Sequence, residues 1–190
     1  MTDVERRVSL GSESLKDAGF TPRDDDLTIR TATAEDMERV RAVTLAAYDQ
    51  YRRAMPGTAW EQYKGNILQT LKESDPALCA VAVRDSSVVG SVWLFPPASD
   101  LARPYPEVRL LAVQPEARGG GIGLKLMQEC KRRARATGAL ALSLHTTPMM
   151  ESALRMYERM GFHRTPETDF YPIADVTVMG FALDLAQASD

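Results

Sequence analysis

Hydrophobic and polar positions along this chain repeat with two different periods. Alternating or continuous apolar runs, the pattern of strands, occupy 27–30, 77–83, 88–95, 106–113 and 139–145 and return from residue 176. Between these runs, apolar residues recur every three or four positions, as on one face of a helix, within 37–51, 60–71, 121–137 and 153–160. The order β-α-α-β-β-β-α-β-α-β-β predicts an α/β fold in which helices flank a mixed, mostly antiparallel sheet.

Short local motifs place the ends of several of these elements. The sequences that begin at Thr33 and Thr58 are capping boxes, which open the first two helices. Thr147-Pro148 predicts an N-cap followed by proline in the first turn of the last helix, and Gly161-Phe162 predicts where that helix ends. The polar residues 84–87 lie between two apolar runs, so they predict a turn and an antiparallel hairpin.

The length of 190 residues fits one domain with a substantial core. Residues 1–26 contain eleven charged residues and few apolar ones, so we predict a flexible or loosely docked N-terminal tail there. The folded domain is predicted to cover 27–185, and 186–190 to form a C-terminal tail.

Charge and composition exclude several classes of protein. The net charge of −3 argues against a general nucleic-acid binder, and the cations at 131–135 complement the C-terminal dipole of their helix. No apolar run reaches the ~18 residues of a membrane span. Cys79 and Cys130 lack a CxxC spacing and lie far from both histidines, so no metal site is predicted. We therefore expect a cytoplasmic protein without a nucleic-acid or membrane partner.

A glycine-rich stretch, 115–123, lies between a predicted strand and a predicted helix. Glycines permit positive φ and let a phosphate approach the first N–H groups of the helix, whose dipole favours an anion. The dinucleotide pattern G-x-G-x-x-G fails at Leu124, and no Gly-Lys-Ser/Thr follows as in a nucleoside-triphosphate P-loop. The pattern that does fit is R-x-x-G-x-G, formed by Arg118, Gly121 and Gly123.

This pattern resembles the acetyl-CoA pyrophosphate loop of the GNAT superfamily of N-acetyltransferases. The predicted order of elements is also similar to that of the N-acetyltransferase fold, so the resemblance covers residues 27–185. It implies an acyltransferase of class EC 2.3.1 that uses acetyl-CoA as a cosubstrate.

A second motif agrees with the first, since the segment from Ala153 through Tyr157 to Phe162 looks like the family's helix pattern N-x-x-A-x-x-x-Y-x-x-x-G-F. One position departs from it, because Met150 stands where the family has asparagine. The asparagine's polar contact to the cofactor arm is therefore absent, or it is replaced by Thr146 or Ser152.

The resemblance assigns the pyrophosphate to the glycine loop and the pantetheine arm to the backbone of the preceding strand, by β-augmentation. The predicted cofactor-binding residues are Leu111, Ala112, Val113, Arg118, Gly119, Gly120, Gly121, Ile122 and Gly123. In the family the first two helices cover the acceptor site, which makes their aromatic residues candidate walls of a substrate pocket; the alternative is that they only form core. These residues are Tyr48, Tyr51, Trp60 and Tyr63.

Three side chains are candidates for the chemistry. Tyr157 matches the family's general acid, and a phenol with a pKa of ~10 can share its proton with a thiolate whose conjugate acid is near ~8.5. Glu107 and His145 are alternative general bases, since each stands where a branch of the family carries one. Spacing favours Glu107, and ordered water is the third option.

These residues predict direct transfer of an acetyl group to a primary amine, without a covalent enzyme intermediate. The slightly acidic chain and its aromatic-rich helices favour a small-molecule acceptor, while a protein N-terminus or lysine stays open. A non-catalytic acyl-CoA-binding regulatory domain is the rival from another class. The oligomeric state also stays open, with a homodimer as one option.

Overall fold

The computed structural model describes residues 26–55, 57–98, 104–173 and 176–186. The predicted N-terminal tail at 1–26 and C-terminal tail at 186–190 lie almost entirely outside these ranges. Within the described residues, no helix has both the length and the apolar character that crossing a membrane requires.

Eight strands of the described residues form the sheet at the centre of the fold. They are β1 (Thr28–Thr31), β2 (Cys79–Arg84), β3 (Ser87–Phe95), β4 (Glu107–Val113), β5 (Ala141–Thr146), β6 (His163–Arg164), β7 (Phe170–Ile173) and β8 (Val176–Asp184). Their spatial order is β1-β2-β3-β4-β5-β8-β6, and β7 pairs with β8. Every described pair is antiparallel except β4 with β5, which confirms the predicted mixed, mostly antiparallel sheet.

Four α-helices flank the sheet in two layers: α1 (Met37–Tyr48), α2 (Gly57–Glu73), α3 (Ile122–Ala136) and α4 (Glu151–Arg159). Side chains alternate between the faces of each strand, so β2 contributes Ala80 and Ala82 to the core under α3 and α4. The same strand contributes Cys79 and Val81 to a second core under α1 and α2. The sheet is therefore buried on both faces.

Local motifs placed some helix ends correctly and others not. At the first capping box, Asp36 Oδ2 accepts a hydrogen bond of 2.7 Å from the backbone N–H of Thr33, as predicted. The second prediction is wrong by two residues, because α2 begins at Gly57 and Thr58 lies in its first turn instead of capping it.

The predicted start of the last helix at Thr147 is wrong. The N–H of Met150 bonds to the carbonyl of Thr147 at 3.0 Å and closes a separate turn, and α4 begins only at Glu151. Its predicted end is confirmed, since Gly161 has φ 90° and the N–H of Phe162 reaches back to the carbonyl of Tyr157.

The predicted hairpin joins β2 to β3 through a two-residue turn. Asp85 and Ser86 have φ values of 48° and 60°, which give the turn a twist that suits paired strands. The strands β6 and β7 were not predicted separately, because two and four residues are too few to show a period.

Candidate active site

A gap opens in the sheet where β4 and β5 separate. The two parallel strands pair only at Glu107 with Ser143 and Val108 with Leu144. Beyond that point, the register of β4 against β3 shifts between Ser91 and Trp93, and Leu110 has a φ of 50°. A positive φ at a leucine costs about 1–2 kcal/mol, and such a bulge bends a strand. The bulge therefore lies where β4 diverges from its parallel neighbour.

Backbone groups of β4 face this gap. The N–H of Gln114 bonds to Val89 of β3, so by alternation the N–H and carbonyl of Val113 point away from β3. The Val113 carbonyl indeed accepts a hydrogen bond from the Nε of Arg118 on the far side. Among the described residues, the end of β4 thus has no neighbouring strand on this side, where an extended ligand can pair with it.

The glycine loop follows directly at the end of that edge. Gly119 and Gly121 have φ values of 88° and 70°, conformations that side chains adopt at a cost, and a Cβ at either would have no atom within 4 Å. Gly121 occupies the N-cap position of α3, where no side chain caps the helix. The first N–H groups of α3 therefore face an exposed, unobstructed surface, which is the geometry of an anion site.

The guanidinium of Arg118 does not lie at the glycines. Its Nη2 donates to the carbonyl of Ala47 at 3.2 Å, and its Nη1 donates to Gln50 Oε1 at 3.1 Å. Arg118 thus bonds to one carbonyl in the last turn of α1, and it joins that helix to the end of β4.

A cation that sequence reasoning missed lies beside the loop instead. A guanidinium nitrogen of Arg84, at the end of β2, is 3.8 Å from the position of a Cβ on Gly120. Its Nε is buried and has no hydrogen-bond partner among the described residues. Nothing in the local sequence marks Arg84, because the hairpin turn brings it to the loop.

Tyr157 lies inside the molecule, on the α3–α4 side of the sheet. Tyr157 is 7% exposed, and its ring centroid lies 5.7 Å from that of Phe162. Burial raises the pKa of the Tyr157 phenol, and the nearby phenol of Tyr51 adds to the rise. The hydroxyl is therefore neutral at physiological pH, and it holds its proton more tightly than a free phenol does.

Glu107 and His145, predicted as alternative bases, are hydrogen-bonded to each other. Glu107 Oε1 lies 2.9 Å from His145 Nδ1, and Arg109 Nε donates to Glu107 Oε2 at 2.8 Å. The other ring nitrogen of His145 lies 3.0 Å from the carbonyl of Thr168. Both imidazole nitrogens therefore face acceptors, and only the imidazolium can donate to both.

The pKa values of this pair follow from its contacts. Burial raises the pKa of the Glu107 carboxyl, but the hydrogen bonds and charges of His145 and Arg109 bring it below its usual value. The hydrogen bond to Glu107 raises the pKa of His145, against the opposing effect of burial. The pair thus favours the carboxylate and the imidazolium.

The four predicted pocket aromatics form one cluster between α1 and α2. Ring centroids are 6.0 Å apart for Tyr48 with Tyr51 and for Tyr48 with Tyr63, and 6.4 Å for Trp60 with Tyr63. Tyr48 and Trp60 are buried, whereas Tyr51 and Tyr63 keep partial exposure. Tyr48 and Trp60 are therefore core residues, and Tyr63 also lines a pocket; a role of these aromatics in substrate binding stays a prediction.

A small apolar pocket of about 70 Å³ lies between α2 and the β7–β8 pair. It is lined by Met55, Ala59, Gln62, Tyr63, Asn66, Pro172 and Val176. Phe170, at the start of β7, contacts the ring of His145 with centroids 5.4 Å apart. The same strand thus borders both the pocket and the Glu107–His145 pair. Among the described residues, no group of three or more His, Cys, Asp or Glu could hold a metal ion.

Together, the open strand edge, the uncapped helix N-terminus and the buried tyrosine form the candidate site. Residues 42–162 match the Acetyltransferase (GNAT) family, and the chain belongs to this family.

Individual relatives add detail. An IAA acetyltransferase from Azospirillum brasilense is 39% identical over 95 residues, covering 50% of this chain and 60% of the relative. A mycothiol acetyltransferase from Streptomyces scabiei is 36% identical over 169 residues, covering 89% of this chain and 49% of the relative. The chain thus spans about half the length of these relatives.

The fold also matches a solved structure, that of PaiA N-acetyltransferase from Thermoplasma acidophilum in complex with coenzyme A. Its TM-score is 0.62 and its sequence identity is 20%, over 81% of this chain and 97% of that one. At this identity the likeness concerns the fold.

Proposed function

We propose that this protein is a cytoplasmic, acetyl-CoA-dependent N-acetyltransferase whose acceptor is a primary amine of a small molecule. The observation that carries the proposal is the open edge of β4. The uncapped N-terminus of α3 lies at one end of this edge, and Tyr157 belongs to the core on one face of the same sheet. This edge suits a ligand that has an extended amide-containing arm and a pyrophosphate.

In this proposal, the chain's backbone supplies most of the cofactor contacts. The strand 111–113 pairs with the pantetheine arm, and the N–H groups from Gly119 to Gly123 hold the pyrophosphate. Arg84 adds the cationic charge beside the loop, because the guanidinium of Arg118 is engaged by α1. Arg118 then acts by fixing the position of the loop.

Transfer proceeds by attack of the neutral amine on the thioester carbonyl. The new C–N bond forms as the C–S bond breaks, the amine loses one proton, and the departing thiolate gains one. Tyr157 supplies the proton to the thiolate, since its buried phenol is neutral and the residue matches the family's general acid.

Glu107 and His145 act as one unit in this proposal. The carboxylate accepts from two cationic side chains, so its remaining basicity is low, and both nitrogens of the imidazole ring face acceptors. The cations favour the neutral form of an amine bound nearby, and the amine proton leaves through water.

Two observations support a small acceptor. The pocket between α2 and β7–β8 is small and largely apolar, and the two relatives carry names of small-molecule acetyltransferases. A protein N-terminus or a lysine would instead require an open groove at the same place.

The test is thiol release from acetyl-CoA over a panel of amines, amino acids and short peptides. We expect amine-dependent release with at least one small amine, and its loss by about 10²-fold in the variant Tyr157→Phe. Acetyl-CoA binding without turnover on any acceptor would favour a regulatory acyl-CoA-binding domain. Turnover restricted to peptides would move the acceptor class to proteins.

A further inference from the structure

Two threonine hydroxyls at the end of β5 are buried without a hydrogen-bond partner. The residues Thr146 and Thr147 are 3% and 7% exposed, and neither Oγ1 has a partner among the described residues. A hydroxyl buried in this way destabilises the fold unless something bonds to it. Each of these hydroxyls is therefore a candidate contact for a polar ligand.

Their position in the sheet indicates where that ligand lies. The pairing of β5 with β4 ends at Leu144, two residues before Thr146, so both threonines lie beyond the point where the strands diverge. Leu142, Leu144 and Thr146 are the buried positions of β5, and the two leucines belong to the same core as Tyr157. By alternation, Thr146 faces that side of the sheet too.

The chain lacks the polar side chain that the family pattern carries at the start of α4. Met150 stands there, and it packs against the core on the opposite side, under α1 and α2. Ser152, the other candidate replacement, is exposed. Among these positions, only the two threonines combine burial with unused hydrogen-bonding capacity.

We infer that the hydroxyls of Thr146 and Thr147 bind the amide groups of the pantetheine arm of acetyl-CoA, in place of the missing asparagine. This inference rests on the proposed function. A hydroxyl both donates and accepts, so each threonine can pair with either the N–H or the carbonyl of an amide. The threonines act by positioning the cofactor and take no part in proton transfer.

The inference predicts opposite effects in the free and the bound protein. Thr146→Val and Thr147→Val keep the side-chain shape and the β-branch but remove the unpaired hydroxyl. Each should raise the melting temperature of the ligand-free protein by about 2–4 °C, because a buried polar atom without a partner is lost. Each should also weaken acetyl-CoA binding by about 5- to 10-fold, because a hydrogen bond to the ligand is lost.

Calorimetric titration with two probes locates the effect. Acetyl-CoA contains the pantetheine arm, and adenosine 3′,5′-bisphosphate does not. We expect weaker binding of acetyl-CoA, unchanged binding of the bisphosphate, and recovery of acetyl-CoA binding in Thr146→Ser and Thr147→Ser. The matched control is Thr44→Val on α1, where the buried hydroxyl lies 3.5 Å from that of Ser91. That variant should not gain stability and should bind acetyl-CoA normally.

Three results would overturn the inference. Unchanged acetyl-CoA affinity in both valine variants means that the hydroxyls do not contact the arm. Equal loss for both probes means general damage to the site. A lower melting temperature of the ligand-free valine variants means that water already satisfies the hydroxyls. If the wild-type protein itself does not bind acetyl-CoA, the proposed function fails, and the inference fails with it.

Discussion

At the scale of single residues, the Glu107 carboxylate accepts hydrogen bonds from two cationic side chains, and this arrangement sets its basicity. His145 and Arg109 stabilise the carboxylate, while Glu107 and the carbonyl of Thr168 stabilise the imidazolium. Removing either member takes one hydrogen bond and one charge from the other, so the two side chains should behave as one unit in mutagenesis.

The pair also predicts how stability depends on pH. The pKa of His145 is raised, so its contribution is complete below the unfolded value of 6.5 and is lost as the pH rises through the folded pKa. The pKa of Glu107 is lowered, so its contribution is complete above 4.5 and is lost as the pH falls through the folded pKa. The pair therefore stabilises the fold most between pH 4.5 and pH 6.5, where both contributions are complete.

We expect the double variant Glu107→Gln, His145→Gln to lose about 2 kcal/mol of unfolding free energy in that window and less on either side of it. Urea denaturation of the wild type, both single variants and the double variant from pH 3.5 to 9 measures the differences. Strictly additive single-variant losses, or a difference that does not vary with pH, would contradict the assignment of the pair.

Tyr157 allows a test in which only one atom changes. Tyr157→Phe keeps the ring that packs against Phe162 and removes the hydroxyl, so folding and cofactor affinity should not change. We expect kcat to fall by about 10²-fold, because the thiolate must then leave without a proton donor. The measurement is kcat where chemistry limits turnover, together with the Kd of acetyl-CoA; an unchanged kcat would leave the tyrosine with packing alone.

At the scale of elements, the two ends of α3 offer a matched pair of glycines. Gly121 precedes the helix with a φ of 70°, and Gly138 follows it with a φ of 74°. Both are exposed, and a Cβ at either would meet nothing within 4 Å. Gly121 lies at the positive end of the helix dipole, next to the candidate anion site, and Gly138 lies at the negative end.

We expect Gly121→Val to abolish measurable acetyl-CoA binding, since its side chain fills the space of the phosphate and strains the N-cap. Gly138→Val should cost a similar 1–2 kcal/mol of stability, because the strain is alike, and should retain affinity. Thermal unfolding of both variants measures the cost of backbone strain. Calorimetric titration with acetyl-CoA then shows whether the side chain at Gly121 also blocks the phosphate. Equal affinity in the two folded variants would remove the glycine loop from the cofactor site.

Features set by neighbours in sequence could be predicted, and those set by distant contacts could not. The hairpin at 84–87 and the end of α4 at Gly161 are encoded locally, and the structure has them as predicted. The start of α4 was misplaced because Thr147-Pro148 closes a turn of its own. The guanidinium of Arg118 is placed by the carbonyl of Ala47, 71 residues earlier, which no local pattern contains.

The candidate site shows the same division. The glycines, Tyr157 and the aromatic residues were identified from motifs or periodicity. The contact between Glu107 and His145 spans 38 residues and follows from the pairing of β4 with β5, so spacing alone presented the two as alternatives. No sequence signal marks Arg84 or the unpaired hydroxyls of Thr146 and Thr147, because both features depend on what lies around each atom.

At the scale of the whole molecule, the sheet consists of two parts with a narrow junction. Strands β1 to β4 form one antiparallel part, and β5, β8 and β6 form the other. Only two residue pairs of β4 and β5 join them directly in the described chain. Helices α3 and α4 cover the junction from one side with a shared apolar core.

This narrow junction has a consequence for the lability of individual amide protons. The N–H of Ala112 points to β3 and that of Val113 points into the gap, although the residues are neighbours in one strand. In the free protein, the Val113 amide should therefore exchange with deuterated solvent much faster than the Ala112 amide. Saturating acetyl-CoA should slow Val113 towards its neighbour, and the two halves of the sheet should then open as one cooperative unit. Such protection would mean that the bound ligand pairs with β4 as an additional strand does.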